Sequence, residues 1–106
     1  MNLYQIVLPL KDNSGHDVTP AHRAFQNAVL SVVPGLTKMP QAYGLWDDRG
    51  ERYIDRVVPY QIACSSNQWR IIVGHAFRLF PDQLAIFHAQ LGTAEIEYRE
   101  KKTVAA

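Results

Sequence analysis

Gly44-Leu45-Trp46-Asp47-Asp48-Arg49-Gly50-Glu51-Arg52-Tyr53-Ile54 is the segment around which the rest of the chain is arranged. It reads as two strands joined by a tight turn. Asp48-Arg49-Gly50 supplies the turn, and Gly50 accepts the positive φ that short hairpin loops demand.

Upstream of the hairpin, Leu3 to Leu10 is rich in β-forming residues and apolar on both parities, interrupted by Gln5 and Pro9. A strand apolar on both faces belongs in the middle of its sheet. Lys11 to Asp17 is a loop by composition. Thr19-Pro20 opens a helix, with Thr19 as N-cap and Pro20 at the first helical position. Ala21, Phe25, Ala28, Val29 and Val32 form its apolar stripe, and Pro34-Gly35 ends it. The second strand is expected from Thr37 into Trp46, with Pro40 marking an irregular or edge start.

Downstream, the third strand is expected from Glu51 to Cys64. Pro59 lacks the N–H that a central ladder needs, so a bulge or break is expected near it. Trp46 to Arg56 then projects as a two-stranded arm. Ser65-Ser66-Asn67 caps a second helix, whose buried stripe is Trp69, Ile72, Val73, Ala76 and Phe80, and Pro81 stops it. Gln83 to Leu91 is expected to be the fourth strand. Ala94 to Arg99 alternates apolar and polar, as an edge strand or a bulged extension of the fourth does. Lys101 to Ala106 is expected to be a loose tail.

Strand, helix, strand, strand, helix, strand is the split β-α-β repeat. The expected fold is therefore α+β, a ferredoxin-like βαββαβ sandwich. Two helices cover one face of an antiparallel sheet of strand order 4-1-3-2, and the other face is open. With 106 residues, one domain over 1–106 is expected.

Three runs carry a resemblance: Tyr4 to Gly15 (YQIVLPLKDNSG), the hairpin Gly44-Leu45-Trp46-Asp47 with Gly50 and Asp55, and Phe80 with Gln83 before the last strand. They resemble a loose group of small bacterial proteins. The resemblance implies a ferredoxin-like fold and supplies no activity or functional residues. Pro59 and the extra Pro81-Asp82 depart from that group's pattern.

Composition excludes several classes. Charged residues at 20% with 47% hydrophobic residues are those of a folded globular chain, not a disordered one. A net charge of +1 gives no general pull toward nucleic acid or anionic lipid. Cys64 is the single cysteine, which excludes an internal disulfide and a cysteine metal cluster. No secretion signal is expected at Met1-Asn2-Leu3-Tyr4-Gln5, nor a membrane span, and the cytoplasm is the expected compartment.

No catalytic motif stands out. His16, His22, His75 and His88 show no metal-ligand spacing, and His22 and His75 fall off the apolar stripes, so solvated or singly hydrogen-bonded rings are expected. Cys64 reads as a small buried hydrophobe; its place before a helix offers a reactive thiol as the sharper alternative. Asp47, Asp48, Glu51 and Asp55 alternate with Arg49, Arg52 and Arg56, the pattern of cross-strand ion pairs rather than of a metal site. Trp46 and Tyr53 read as a pair packed across the hairpin, ahead of a nucleic-acid stacking pair. Trp46 is expected to be buried by its own chain or a partner.

Strand parity selects the open face. With the more apolar set of each strand turned inward, Leu3, Val7, Val57, Ala63, Leu84 and Ile86 remain outside, with Gln5, Gln61 and His88 among them. An apolar sheet face without helices must meet something, usually another copy of the chain. Val7, Val57 and Trp46 are thus expected at an oligomer interface. His88, Gln61, Gln5 and Tyr60 are the candidate ligand-binding residues, with no metal and no cofactor expected. The leading reading is a non-enzymatic homo-oligomer, dimeric in its simplest form, that binds a small ligand or serves as an adaptor. The second is a cofactor-free isomerase or monooxygenase with His88 as general base and Tyr60 or Gln61 orienting substrate. The third is an RNA-binding module, which near-neutral charge disfavours.

Overall fold

The computed structural model describes residues 1–99. Its elements are β1 (Asn2–Pro9), α1 (Thr19–Leu30), β2 (Thr37–Lys38), β3 (Ala42–Asp48), β4 (Glu51–Cys64), α2 (Ser66–Leu79) and β5 (His88–Thr93). The sheet runs β2-β4-β1-β5, with β3 also pairing β4. Every pairing is antiparallel. This is the expected α+β ferredoxin-like sandwich, with the first strand central. The tail Lys101 to Ala106 lies outside the described residues.

The core follows from parity. Tyr4, Ile6 and Leu8 on β1 face the helices together with Val58, Tyr60, Ile62 and Cys64 on β4, and all are buried. Phe25 and Val29 of α1 and Trp69, Ile72 and Ala76 of α2 close over them. Burying side chains of this size stabilises by about 1.5–3 kcal/mol each before the entropy of ordering is subtracted. Cys64 is the buried hydrophobe of the simpler expectation, and burial pushes its thiol up.

Local chemistry sets the ends of the elements. Ser65 caps α2 through a reciprocal pair: Gln68 N donates to Ser65 Oγ at 3.2 Å, and Ser65 N donates to Gln68 Oε1 at 2.9 Å. At α1 the N-cap is Val18, one residue before the expected Thr19. The Asp17 carboxylate supplies the acceptor there, taking Thr19 N–H at 2.6 Å and the Thr19 hydroxyl. Arg49 (φ 53°) and Gly50 (φ 85°) both stand in the left-handed region, which turns the hairpin in two residues.

Four expectations are corrected. The second strand is split, because Met39-Pro40-Gln41 separates β2 from β3. β4 runs through Pro59 without a bulge, in register with Val7. The Pro59 carbonyl accepts from Met39 N at 2.9 Å, so Pro59 turns its N toward the neighbour at the break between β2 and β3, where the ladder is already interrupted. The last strand starts at His88, not Gln83, and runs to Thr93. Ala94 to Arg99 forms no strand, although Ala94 N still donates to Met1 O at 3.0 Å.

Beyond Val57 the hairpin leaves the helices behind. β3 and β4 stay paired from Ala42↔Val57 to Asp48↔Glu51. Every β4 residue from Glu51 to Arg56 is exposed, so this part is an arm and not part of the core.

Candidate functional site

The open face carries Leu3, Gln5, Val7 and Pro9 of β1 beside Ala63, Gln61, Pro59 and Val57 of β4. Gln61 Nε2 donates to Gln5 Oε1 at 3.2 Å, so two expected site residues meet across the strands. The same face continues onto the arm through Asp55, Tyr53 and Trp46.

A cleft of 580 Å³ lies where the face meets the foot of the arm. Val7 and Val57 give it an apolar floor, Tyr53 and Asp55 a wall, and Lys11, Asn13 and Gln83 a polar rim. The rim is held in shape. Asp12 Oδ1 accepts from Ser14 N and His16 N at 2.9 Å each, and Gly15 turns the loop at φ 81°. The bond from the His16 backbone N–H, more than any other cause, holds the Asp12 carboxyl below its ordinary range. Asn13 N and Nδ2 donate to Asp82 at 3.3 and 3.2 Å, tying this loop to the one after α2. The lining thus combines an apolar floor with the amides of Asn13 and Gln83, two cations, Lys11 and Arg56, and two carboxylates, Asp12 and Asp55. A few convergent polar groups over apolar surface suit a small polar ligand. No histidine or cysteine lines it.

The other expected site residues lie elsewhere. His88 is in register with the buried Ile6, which puts it on the helix side of the sheet. There its Nδ1 accepts from Trp69 Nε1 at 3.2 Å. The parity expectation fails because Gln83 to Phe87 is not strand, and because β5 is an edge strand with polar residues on its helix side. Leu84 is fully exposed in the preceding loop, and Ile86 packs against the core instead of lying on the open face. Tyr60 is fully buried beneath α1. His88, Gln61 and Tyr60 therefore never converge, and the general-base arrangement expected of them is not formed.

His22 is the residue that sequence reasoning missed. It lies on the buried stripe of α1 with Phe25 and Val29, and is 4% exposed. Nε2 lies 2.7 Å from the Pro9 carbonyl and Nδ1 lies 2.8 Å from Tyr60 Oη. A carbonyl only accepts, so Nε2 carries the proton and Nδ1 accepts from the Tyr60 hydroxyl. Gln26 Nε2 donates to the same hydroxyl at 3.1 Å. Burial holds His22 below the ordinary imidazole range, ahead of the opposing bond to Pro9, and it holds Tyr60 up. The neutral ring is thus a structural link between α1, β1 and β4.

On the arm, Asp47 takes Arg52 Nε at 2.9 Å and Nη2 at 3.3 Å, the expected cross-strand pairing. Asp48 lies 3.8 Å from Arg49. Among the described residues no three histidines, cysteines or carboxylates come together as a metal site would require. Trp46 stands opposite Tyr53 and lies over Gly44, where an added Cβ would fall 2.8 Å from Trp46 Nε1. Its own chain covers it only in part, leaving 45% exposed.

The strand order and the helix-covered sheet define the class as ferredoxin-like. No protein-family model and no curated protein matches the chain. Solved structures match in fold. The divalent cation tolerance protein CutA1 of Thermus thermophilus superimposes with TM-score 0.70 at 13% identity, covering 91% of this chain and 86% of that one. CutA1 of a psychrotrophic Shewanella species gives 0.67 at 10%, covering 91% and 85%. The PII-like protein CutA of a Nostoc species, in apo form, gives 0.64 at 13%, covering 88% and 81%. At these identities the likeness is one of fold. Among the described residues, no helix is long and apolar enough to cross a membrane.

Proposed function

We propose that the chain is a non-enzymatic, cytoplasmic homo-oligomer, a dimer in its simplest form, that binds a small ligand or acts as an adaptor. It assembles through the arm and the open sheet face as one domain over 1–106. The arm carries this reading. Tyr43, Leu45 and Ile54 on one side are 68%, 63% and 66% exposed, and Trp46 and Tyr53 on the other are 45% and 48% exposed. An arm two strands wide has no core of its own to bury such residues. A second copy laid against the Trp46 and Tyr53 side covers that pair and continues over Val7 and Val57 on the same face, and a further contact between copies covers Tyr43, Leu45 and Ile54 on the reverse side. The cleft with Lys11, Asn13 and Gln83 then lies beside that contact, where a ligand reports on assembly. Fold neighbours described as a divalent cation tolerance protein and as a PII-like protein in apo form support a ligand-responsive role over a catalytic one.

Trp46 reads out the contact. The difference in acrylamide quenching between the protein and its Trp46→Phe variant isolates this indole from the buried Trp69. At micromolar concentration it should be quenched several-fold less than a free indole, because a partner covers it. Quenching equal to that of free tryptophan would remove the arm from the interface.

A further inference from the structure

The helices cover the centre of the sheet, and β5 at its edge has none above it. α2 packs over β1, so its outer flank and the helix side of β5 enclose a groove of 590 Å³. Its floor is the edge of the stacked pair Tyr4 and Trp69, with ring centroids 4.6 Å apart and planes at 6°, both rings otherwise buried in the core. Phe77 on α2 stands along one wall, 43% exposed. At Gly74 nothing lies within 4 Å of where a Cβ would be, so the missing side chain keeps the groove open. Glycine inside a helix costs about 1 kcal/mol relative to alanine, so that space is maintained against local preference.

One end of the groove is polar and of one sign. Arg70 lines it, is exposed and has no acidic partner among the described residues. No aspartate or glutamate lines the groove. Trp69 Nε1 donates to His88 Nδ1, which leaves Nε2–H as the donor of that ring. We propose that this groove binds a flat aromatic carboxylate, with its ring between the Tyr4–Trp69 floor and Phe77 and its carboxylate on Arg70 and His88. Aromatic side chains favour a ring in offset-stacked or edge contact. The guanidinium fork matches a carboxylate in two parallel bonds. The groove lies on the opposite side of the sheet from the arm-foot cleft and goes beyond the role proposed for that cleft.

Calorimetric titration of the full chain with 2-naphthoate, and with the neutral 2-naphthamide, tests it. The acid should bind at least about tenfold more tightly than the amide, the worth of one charge-assisted pair. Arg70→Gln should remove that preference. Gly74→Leu should abolish binding of both compounds while the melting temperature holds or rises, leucine being the better helix former. Equal affinity for acid and amide, no heat with either, or unchanged binding in Gly74→Leu would overturn the proposal. So would loss of binding in Lys11→Gln with Arg70→Gln unaffected, which would move the site to the arm-foot cleft. If Gly74→Leu fails to fold, the exposed Arg70→Gln still decides the result.

Discussion

Replacing His22 by alanine will lower the stability of the folded chain by about 3 kcal/mol, through a cavity and two stranded polar groups. The ring fills space between Phe80, at 5.1 Å edge to face, and Tyr60. Its loss leaves the buried Tyr60 hydroxyl without its acceptor and the partly buried Pro9 carbonyl without its donor. Tyr60→Phe is milder, about 1–2 kcal/mol, since it orphans only His22 Nδ1 and Gln26 Nε2. Urea unfolding followed by circular dichroism at pH 8 measures both. An unchanged midpoint for His22→Ala would show that the ring links nothing.

The same residue gives the protein an acid-sensitive stability. His22 in the folded chain protonates below the unfolded value of 6.5, because burial disfavours its charged form. Between those two points the unfolded chain binds a proton that the native chain refuses. The His22 contribution is therefore complete above pH 6.5 and declines as the pH falls toward the folded value. Asp17 opposes this depression and Lys38 adds to it. The slope of stability against pH below 6.5 should be shallower in His22→Ala than in the unaltered protein.

Placing aspartate at Leu45 and Ile54 together will dissociate the assembly, raising its dissociation constant at least about a hundredfold. The two are register partners on the side of the arm away from Trp46, and both are exposed in one chain. Nothing in the single-chain fold depends on them, so the circular dichroism spectrum should not change. In the assembly each copy would bury two unpaired carboxylates. Sedimentation velocity across a concentration series checks this, and an unaltered dissociation constant would mean that this side of the arm meets solvent.

The hairpin and the order of elements were legible because their signals are local. Gly50 needs its turn, Ser65-Ser66-Asn67 marks a helix start, and the parity of β1 and β4 is written in their own apolar residues. His22 was not legible. Its partners, Pro9 and Tyr60, lie 13 and 38 residues away, and only their convergence makes an imidazole acceptable on the stripe with Phe25 and Val29. His88 was misplaced for a different reason. Apolar counting finds the covered face of a strand only where something covers it, and β5 has no helix above it. Its pairing with β1 also shifts between Leu3 and Tyr4, which breaks the parity carried from one end of the strand to the other. Pro59 misled because a proline's cost depends on what its neighbour strand offers. Gln5 and Gln61 were placed together correctly, since β1 and β4 keep one register throughout.

Light scattering at micromolar concentration tests whether the arm and open face hold copies of this chain together. The unaltered protein should show a mass of at least twice 12.0 kDa. A steady 12.0 kDa up to the highest soluble concentration would contradict it.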